Sequence, residues 1–227
     1  MSERLVIPDR AEVESELSVA HPWWQFSVRF NVAVSQSVPV ARMHERESEG
    51  VMMRWGFVPS SAKGDVTLGG RTHVRGDALI SSADFRTAWL YGQRGIVPLA
   101  GFYVWQRTQA GHRQPYYVRL VNRHVFGVAA LWERSVTDDD VVVDSCALLT
   151  VPANPLLAEI NNTTSQMPAI LRRESYDTWL RSNVTEASEL LEIYPQTGMV
   201  SHPVAPHVNH LGFDEPWLIQ PVLQDLS

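Results

Sequence analysis

Between residues 96 and 151 the chain gives four strand signals in close succession, at 96–105, 116–121, 125–132 and 141–151. Gly111 and the run Asp138-Asp139-Asp140 supply turn residues between them. So many strands joined by short turns fix a sheet-based architecture before any other feature is weighed. Upstream, Phe26, Val28, Phe30, Val32 and Val34 alternate strictly, which predicts a half-buried strand over 26–34. Val51, Met53, Trp55 and Phe57 alternate again until Pro59 stops the run. Helices enter at the periphery. Val13, Leu17 and Ala20 fall at helical spacing within 11–20, and Ser82 can cap a helix carrying Phe85 and Trp89 on one face. The segments 174–181 and 185–192 also read as helices, whereas the tail from Pro195 is rich in Pro, His and Asn with isolated apolar positions. With no internal repeat and no linker-like stretch, the expectation is one α+β domain over 1–227.

A chain of 227 residues, 44% apolar and with eight Trp, can bury a sizeable core. No apolar run approaches the ~20 residues that a membrane-spanning helix requires, so no membrane role is expected. The start Met1-Ser2-Glu3-Arg4 is charged and has no apolar signal region. Cys146 is the single cysteine, which excludes an internal disulfide framework and points to a reducing, cytoplasmic compartment. The net charge of −6 argues against a general nucleic-acid binder, but the charge is unevenly spread. Residues 1–113 hold 13 basic and 11 acidic side chains, residues 114–227 hold 6 and 14.

Taken residue by residue, the chemistry is sparse. There is no glycine-rich phosphate loop, and His202, His207 and His210 lack metal-ligand spacing, so neither cofactor nor metal is expected. His73, Arg75 and Asp77 would share one face of an extended segment, and with a serine they could form a hydrolytic constellation. A polar strand edge explains the same triplet. Gly101-Phe102-Tyr103-Val104-Trp105 is an aromatic knot of the kind more often found in a core than on a binding face.

Several segments in order nevertheless resemble one family. Arg29-Phe30-Asn31-Val32-Ala33 with Gln36 and Val38-Pro39-Val40, then Met53-Arg54-Trp55-Gly56-Phe57-Val58-Pro59-Ser60, are similar to stretches of the SRAP family, the SOS-response-associated peptidases that process abasic sites. Phe85-Arg86 with Trp89, Val97-Pro98 leading to Gly101-Phe102-Tyr103, Gln114-Pro115-Tyr116-Tyr117, Ala130-Leu131-Trp132-Glu133, and Ala153-Asn154 through Met167-Pro168-Ala169-Ile170-Leu171 continue the match. The resemblance implies a mixed, bifurcated sheet with a barrel-like core surrounded by helices. It also implies binding of single-stranded DNA and capture of abasic sites. In the family an N-terminal cysteine's amine forms a Schiff base with the open sugar and its thiol closes a stable ring, while Asn, Glu and His position the groups and move protons.

The family's Met-Cys-Gly-Arg start reads Met1-Ser2-Glu3-Arg4 here, Asn-Ala-Arg-x-Glu reads His73-Val74-Arg75-Gly76-Asp77, and Gly-Phe-Tyr-Glu-Trp reads Gly101-Phe102-Tyr103-Val104-Trp105. In the loop Ile160-Asn161-Asn162-Thr163-Thr164-Ser165-Gln166-Met167-Pro168, Asn161 (Thr164 in an ungapped alignment) stands at the histidine, Gln166 at a phosphate-facing arginine, and Ser61 at a base-stacking tryptophan. Ser2, His73, Val104 and Asn161 therefore form a degenerate catalytic set, expected to meet around one concavity. Arg4, Asn31, Arg75 and Trp105 remain as DNA contacts, with Arg54 and Trp55 nearer the core. The expectation is a non-catalytic protein that binds single-stranded or abasic DNA weakly. Two alternatives stand beside it: altered hydrolytic or crosslinking chemistry on Ser2, His73 and Asp77, or a protein-interaction module without a DNA role.

Overall fold

The computed structural model describes residues 4–60, 70–109, 111–136 and 140–222. The chain opens with β1 (Arg4–Ile7), α1 (Arg10–Leu17), β2 (His21–Pro22), β3 (Arg29–Ala33), β4 (Ser37–His44) and β5 (Glu47–Trp55). Asp9 caps α1 by accepting from the Ala11 amide at 2.8 Å. Next come β6 (His73–Arg75), α2 (Ala83–Leu90), β7 (Arg94–Leu99), β8 (Gly101–Arg107), β9 (Arg113–Leu120), β10 (Phe126–Val136) and β11 (Val142–Pro152). The last part carries α3 (Pro155–Ile160), β12 (Gln166–Pro168), α4 (Tyr176–Arg181), α5 (Val184–Glu189) and β13 (Met199–Pro203), then short 3₁₀ turns. The architecture is α+β, as expected.

Five strands close a barrel. β5 pairs with β4, β4 with β7, β7 with β10 and β10 with β11, all antiparallel, and β11 returns to β5 in parallel through Ser145–Arg54 and Cys146–Trp55. The eleven-residue β11 then outgrows the barrel. Its far end leaves β10 and β5 and takes β12 through Thr150–Pro168 and β6 through Leu148–His73, so the sheet forks at this strand. A second sheet, in the order β13-β9-β8-β1-β3, lays one face on the barrel. Leu5, Ile7, Phe102, Val104 and Val118 join Val40, Ala129 and Leu148 of the barrel and Phe85, Trp89 and Trp179 of the helices in one core. Val6, Tyr103, Trp105 and Tyr117 point the other way into a smaller cluster closed by Val204, Val208 and Leu218. Gly101 is required there, because a Cβ at that position would overlap the ring of Tyr117.

Three strand expectations need correction. The alternation over 26–34 yields pairing only at Arg29–Ala33, the stretch that faces Arg4–Ile7 of β1, and Val28 and Val34 beyond it are exposed. The run 96–105 is two strands, since at Ala100 the chain leaves the barrel for the second sheet. The tail from Pro195 is not merely irregular: β13 pairs with β9, and Val204, Val208 and Leu218 beyond it seal the smaller cluster. Of the expected turn 138–140, only Asp140 lies among the described residues, in the left-handed region at φ 59°.

Candidate functional site

Antiparallel pairing of Leu5 with Phe102 sets Arg4 beside the Val104 end of β8. Because side chains alternate along β8, Val104 faces the main core and is 3% exposed, while Trp105 faces the smaller cluster and is 8% exposed. The position at which the motif resemblance calls for a carboxylate is thus surrounded by apolar groups. Trp105 donates from its indole nitrogen to Asn209 at 2.9 Å, and the guanidinium of Arg113 stands 5.6 Å from its ring centre. Tyr103 donates to the carbonyl of Phe30 at 2.8 Å, and burial pushes its phenol far above the ordinary value.

On the neighbouring β3, Asn31 is 2% exposed. Its amide donates to the carbonyls of His210 at 3.1 Å and Phe213 at 2.9 Å, and its buried Oδ1 has no hydrogen-bond partner among the described residues. The same segment brings in Asp214, whose carboxylate accepts from the backbone amides of Phe30 at 2.5 Å and Asn31 at 2.9 Å and pairs with Arg29. Asn31 and Trp105, expected as DNA contacts, therefore lie under the segment 209–214, which uses their polar atoms.

The fork of β11 organises the other half. His73 on β6 is buried. Its Nδ1 shares a 2.9 Å hydrogen bond with the Thr72 hydroxyl, its Nε2 has no partner among the described residues, and its ring meets Trp55 edge-on at 5.6 Å. Burial lowers its pKa to about 3, so it is neutral at physiological pH. Thr150 of β11 bonds to Gln166 of β12 at 3.0 Å and to the Val74 carbonyl at 3.4 Å, tying the two branches together. The loop before β12 is fastened to β8 by a two-way bond: Asn162 accepts from the Arg107 amide at 3.0 Å and donates to its carbonyl at 2.9 Å. Within that loop Asn161 is 4% exposed and occupied internally, donating to Thr164 at 2.7 Å and accepting from Thr163 at 3.2 Å.

The extended arrangement behind the hydrolytic constellation is not formed. The chain turns into a 3₁₀ helix at Gly76–Ala78, so strand alternation ends at Arg75. Asp77 binds Arg75 through both oxygens, at 2.9 and 2.5 Å, and so faces the arginine and not the buried His73 ring. Each of that exposed pair is shifted by the other, the arginine upward and the aspartate downward. Loop 161–166 touches both the β8 side and, through Gln166 and Thr150, the β6 side. It is the piece that draws distant segments together. Ser2 and Ser61 lie outside the described residues. Among the described residues no cluster of three or more His, Cys, Asp or Glu could hold a metal. Cys146 is fully buried and its thiol is pushed up to about 12 by desolvation, as a core residue's would be. A cavity of about 830 Å³ opens around α1, Arg123 and Arg173, away from these residues. Sequence reasoning missed Asp214, because an aspartate in an irregular tail carries no local sign that its partners lie more than 180 residues away.

The family description "SOS response associated peptidase (SRAP)" matches residues 3–211. Abasic site processing protein YoqW of Bacillus subtilis is 27% identical over 202 residues, 88% of this chain and 88% of that protein. Abasic site processing protein HMCES of Mus musculus is 26% identical over 242 residues, 88% of this chain and 68% of that protein. A crystal structure of a protein from Bordetella bronchiseptica superposes with a TM-score of 0.78 at 22% identity, covering 90% of this chain and 100% of the other. Another, from Bacteroides thetaiotaomicron, gives 0.76 at 22% identity, covering 83% and 82%. These two show the same fold. No helix among the described residues is long and apolar enough to cross a membrane.

Proposed function

We propose that this chain, which belongs to the SRAP family (SOS response associated peptidase), engages single-stranded DNA at abasic sites by contact alone, without a lasting covalent bond. The names of its relatives, abasic site processing proteins, supply the substrate class. The observation that carries the second half is Val104, which is 3% exposed in the apolar core. An alkyl group there neither accepts a proton from an attacking amine nor returns one to a leaving hydroxyl. Asn161 reinforces the reading, because its amide is committed to Thr163 and Thr164. Buried His73, neutral and held by Thr72, supplies shape and not charge.

Binding then rests on the two arginines that the family motifs keep. Arg4 and Arg75 make the direct contacts, while Asn31 and Trp105 act from beneath by holding the segment 209–214. With two or three phosphates of a single strand neutralised, log affinity against log salt falls with a slope of about −1.4 to −2.1. The test is incubation of the full-length protein with an oligonucleotide bearing one abasic site. The expected result is retention on a native gel and no heat-stable shifted band on a denaturing gel. A heat-stable band in good yield overturns the non-covalent reading, and absence of retention overturns the DNA role.

A further inference from the structure

Beyond β13 the chain exposes a group of rings. His207, Phe213 and Trp217 meet pairwise, His207–Phe213 at 5.4 Å, His207–Trp217 at 5.3 Å and Phe213–Trp217 at 5.7 Å, and His210 adds a contact to Phe213 at 6.3 Å. Every pair is edge-on, with interplanar angles of 67–84°, so no ring is stacked flat on another. Phe213 is 39% and Trp217 41% exposed, and both histidines are exposed as well. Single exposed aromatics are ordinary on a protein surface, but a cluster of planar rings is not.

The segment bearing these rings is pinned on both sides of Phe213. Asn209 accepts from Trp105, the carbonyls of His210 and Phe213 accept from Asn31, and Asp214 grips Arg29 and the Phe30 and Asn31 amides. Residues 212–217 lie past the stretch matched to the family, which ends at 211. We infer that the His207–Phe213–Trp217 cluster is a stacking platform for unpaired nucleobases of single-stranded DNA. This rests on the DNA role proposed above and adds to it a site for the bases.

Two observations favour nucleobases over a protein side chain. Flat rings make up the cluster, one of them an imidazole, with the second imidazole of His210 beside Phe213, and bases stack on such faces regardless of sequence. The guanidinium of Arg113 also flanks it, over Trp105 beside the Asn209 end, where a nucleic-acid backbone would need a cation. The clamp matters because a platform that is already rigid loses little entropy on binding.

The test measures affinity of full-length protein for an abasic-free oligothymidylate and for the same strand carrying one abasic site, across a salt series. Trp217→Leu and Phe213→Leu keep apolar bulk while removing the ring, and each is expected to weaken both strands about tenfold. The slope of log affinity against log salt stays unchanged, because stacking neutralises no phosphate. Trp217→Phe restores most of the affinity. If the wild type binds and the leucine variants bind equally well, the platform is overturned and the rings belong to a protein partner, while the DNA role stands. If the wild type binds neither strand, the platform and the DNA role fall together. A leucine variant that also changes the salt slope marks a disturbed fold and overturns the stacking assignment.

Discussion

His73 shows how one buried side chain ties acidity to stability. Its pKa is about 3 in the folded chain against an ordinary 6.5, chiefly through burial. Above pH 6.5 neither state carries the proton and the group is silent. Between 6.5 and about 3 the unfolded chain binds a proton that the folded chain refuses, so stability falls as pH drops through that window. Replacing His73 by Gln removes this contribution. Urea denaturation near neutral pH and again about two units above the folded pKa should show a smaller loss of stability on acidification in the variant than in the wild type. An equal loss would mean that the imidazole is reached by water. Arg75 makes a different point. Its charge is balanced by Asp77, two residues on, through paired hydrogen bonds. Asp77→Asn should therefore strengthen binding to single-stranded DNA and steepen its salt slope by up to ~0.7, the share of one phosphate. Arg75→Ala should do the reverse, and a fluorescence-anisotropy salt series on both variants measures the pair.

At the level of elements, Asp214 does the work of a missing strand neighbour. Its carboxylate satisfies the amides of Phe30 and Asn31 on β3 and holds Arg29, so an irregular tail is stitched to the sheet. Asp214→Ala leaves those donors without their acceptor, a loss of about 1–3 kcal/mol. The expected outcome is a melting temperature several degrees lower and early proteolytic cleavage beyond Pro203, whereas Glu215→Ala next door changes neither. Unchanged protease resistance in Asp214→Ala would show that apolar closure by Val208 and Leu218 suffices. This clamp also explains what could and could not be read from the sequence. The helix with Phe85 and Trp89 was legible because their spacing is a local signal, and both rings are 1% exposed, whereas Ser82 stands at the N-cap without a side-chain capping bond. The motif that placed Val104 on its strand was legible too, although not the direction in which its side chain points. The true extent of β3 and the course of the tail were not, because they depend on a carboxylate more than 180 residues from its partners. His73 and Asp77 were expected on one face because strand periodicity was carried through Gly76, where the backbone turns.

At the scale of the whole molecule, the two sheets cannot be separated without opening one core. Leu5 and Phe102 from the second sheet, Val40 and Ala129 from the barrel, and Trp89 and Trp179 from the helices belong to the same cluster of buried side chains. Neither sheet has another apolar layer large enough to cover the face it would expose, for the smaller cluster contains only seven buried residues among those described and lies on the opposite face of the second sheet. Loss of the barrel would therefore strand the second sheet, and the chain should unfold as one unit. Thermal melts followed by far-ultraviolet circular dichroism, which reports strands, and by near-ultraviolet circular dichroism, which reports the buried tryptophans, should coincide. The calorimetric and van't Hoff enthalpies should agree. Two resolved transitions would divide the chain into separate domains and sink the single-core reading. One departure is expected: residues 204–222 rest on the smaller cluster and on the Asp214 clamp, so their amides should exchange with solvent before those of β7 and β10, which lie in the middle of the barrel. Opening of that segment would release the proposed platform while the barrel beneath it stays closed.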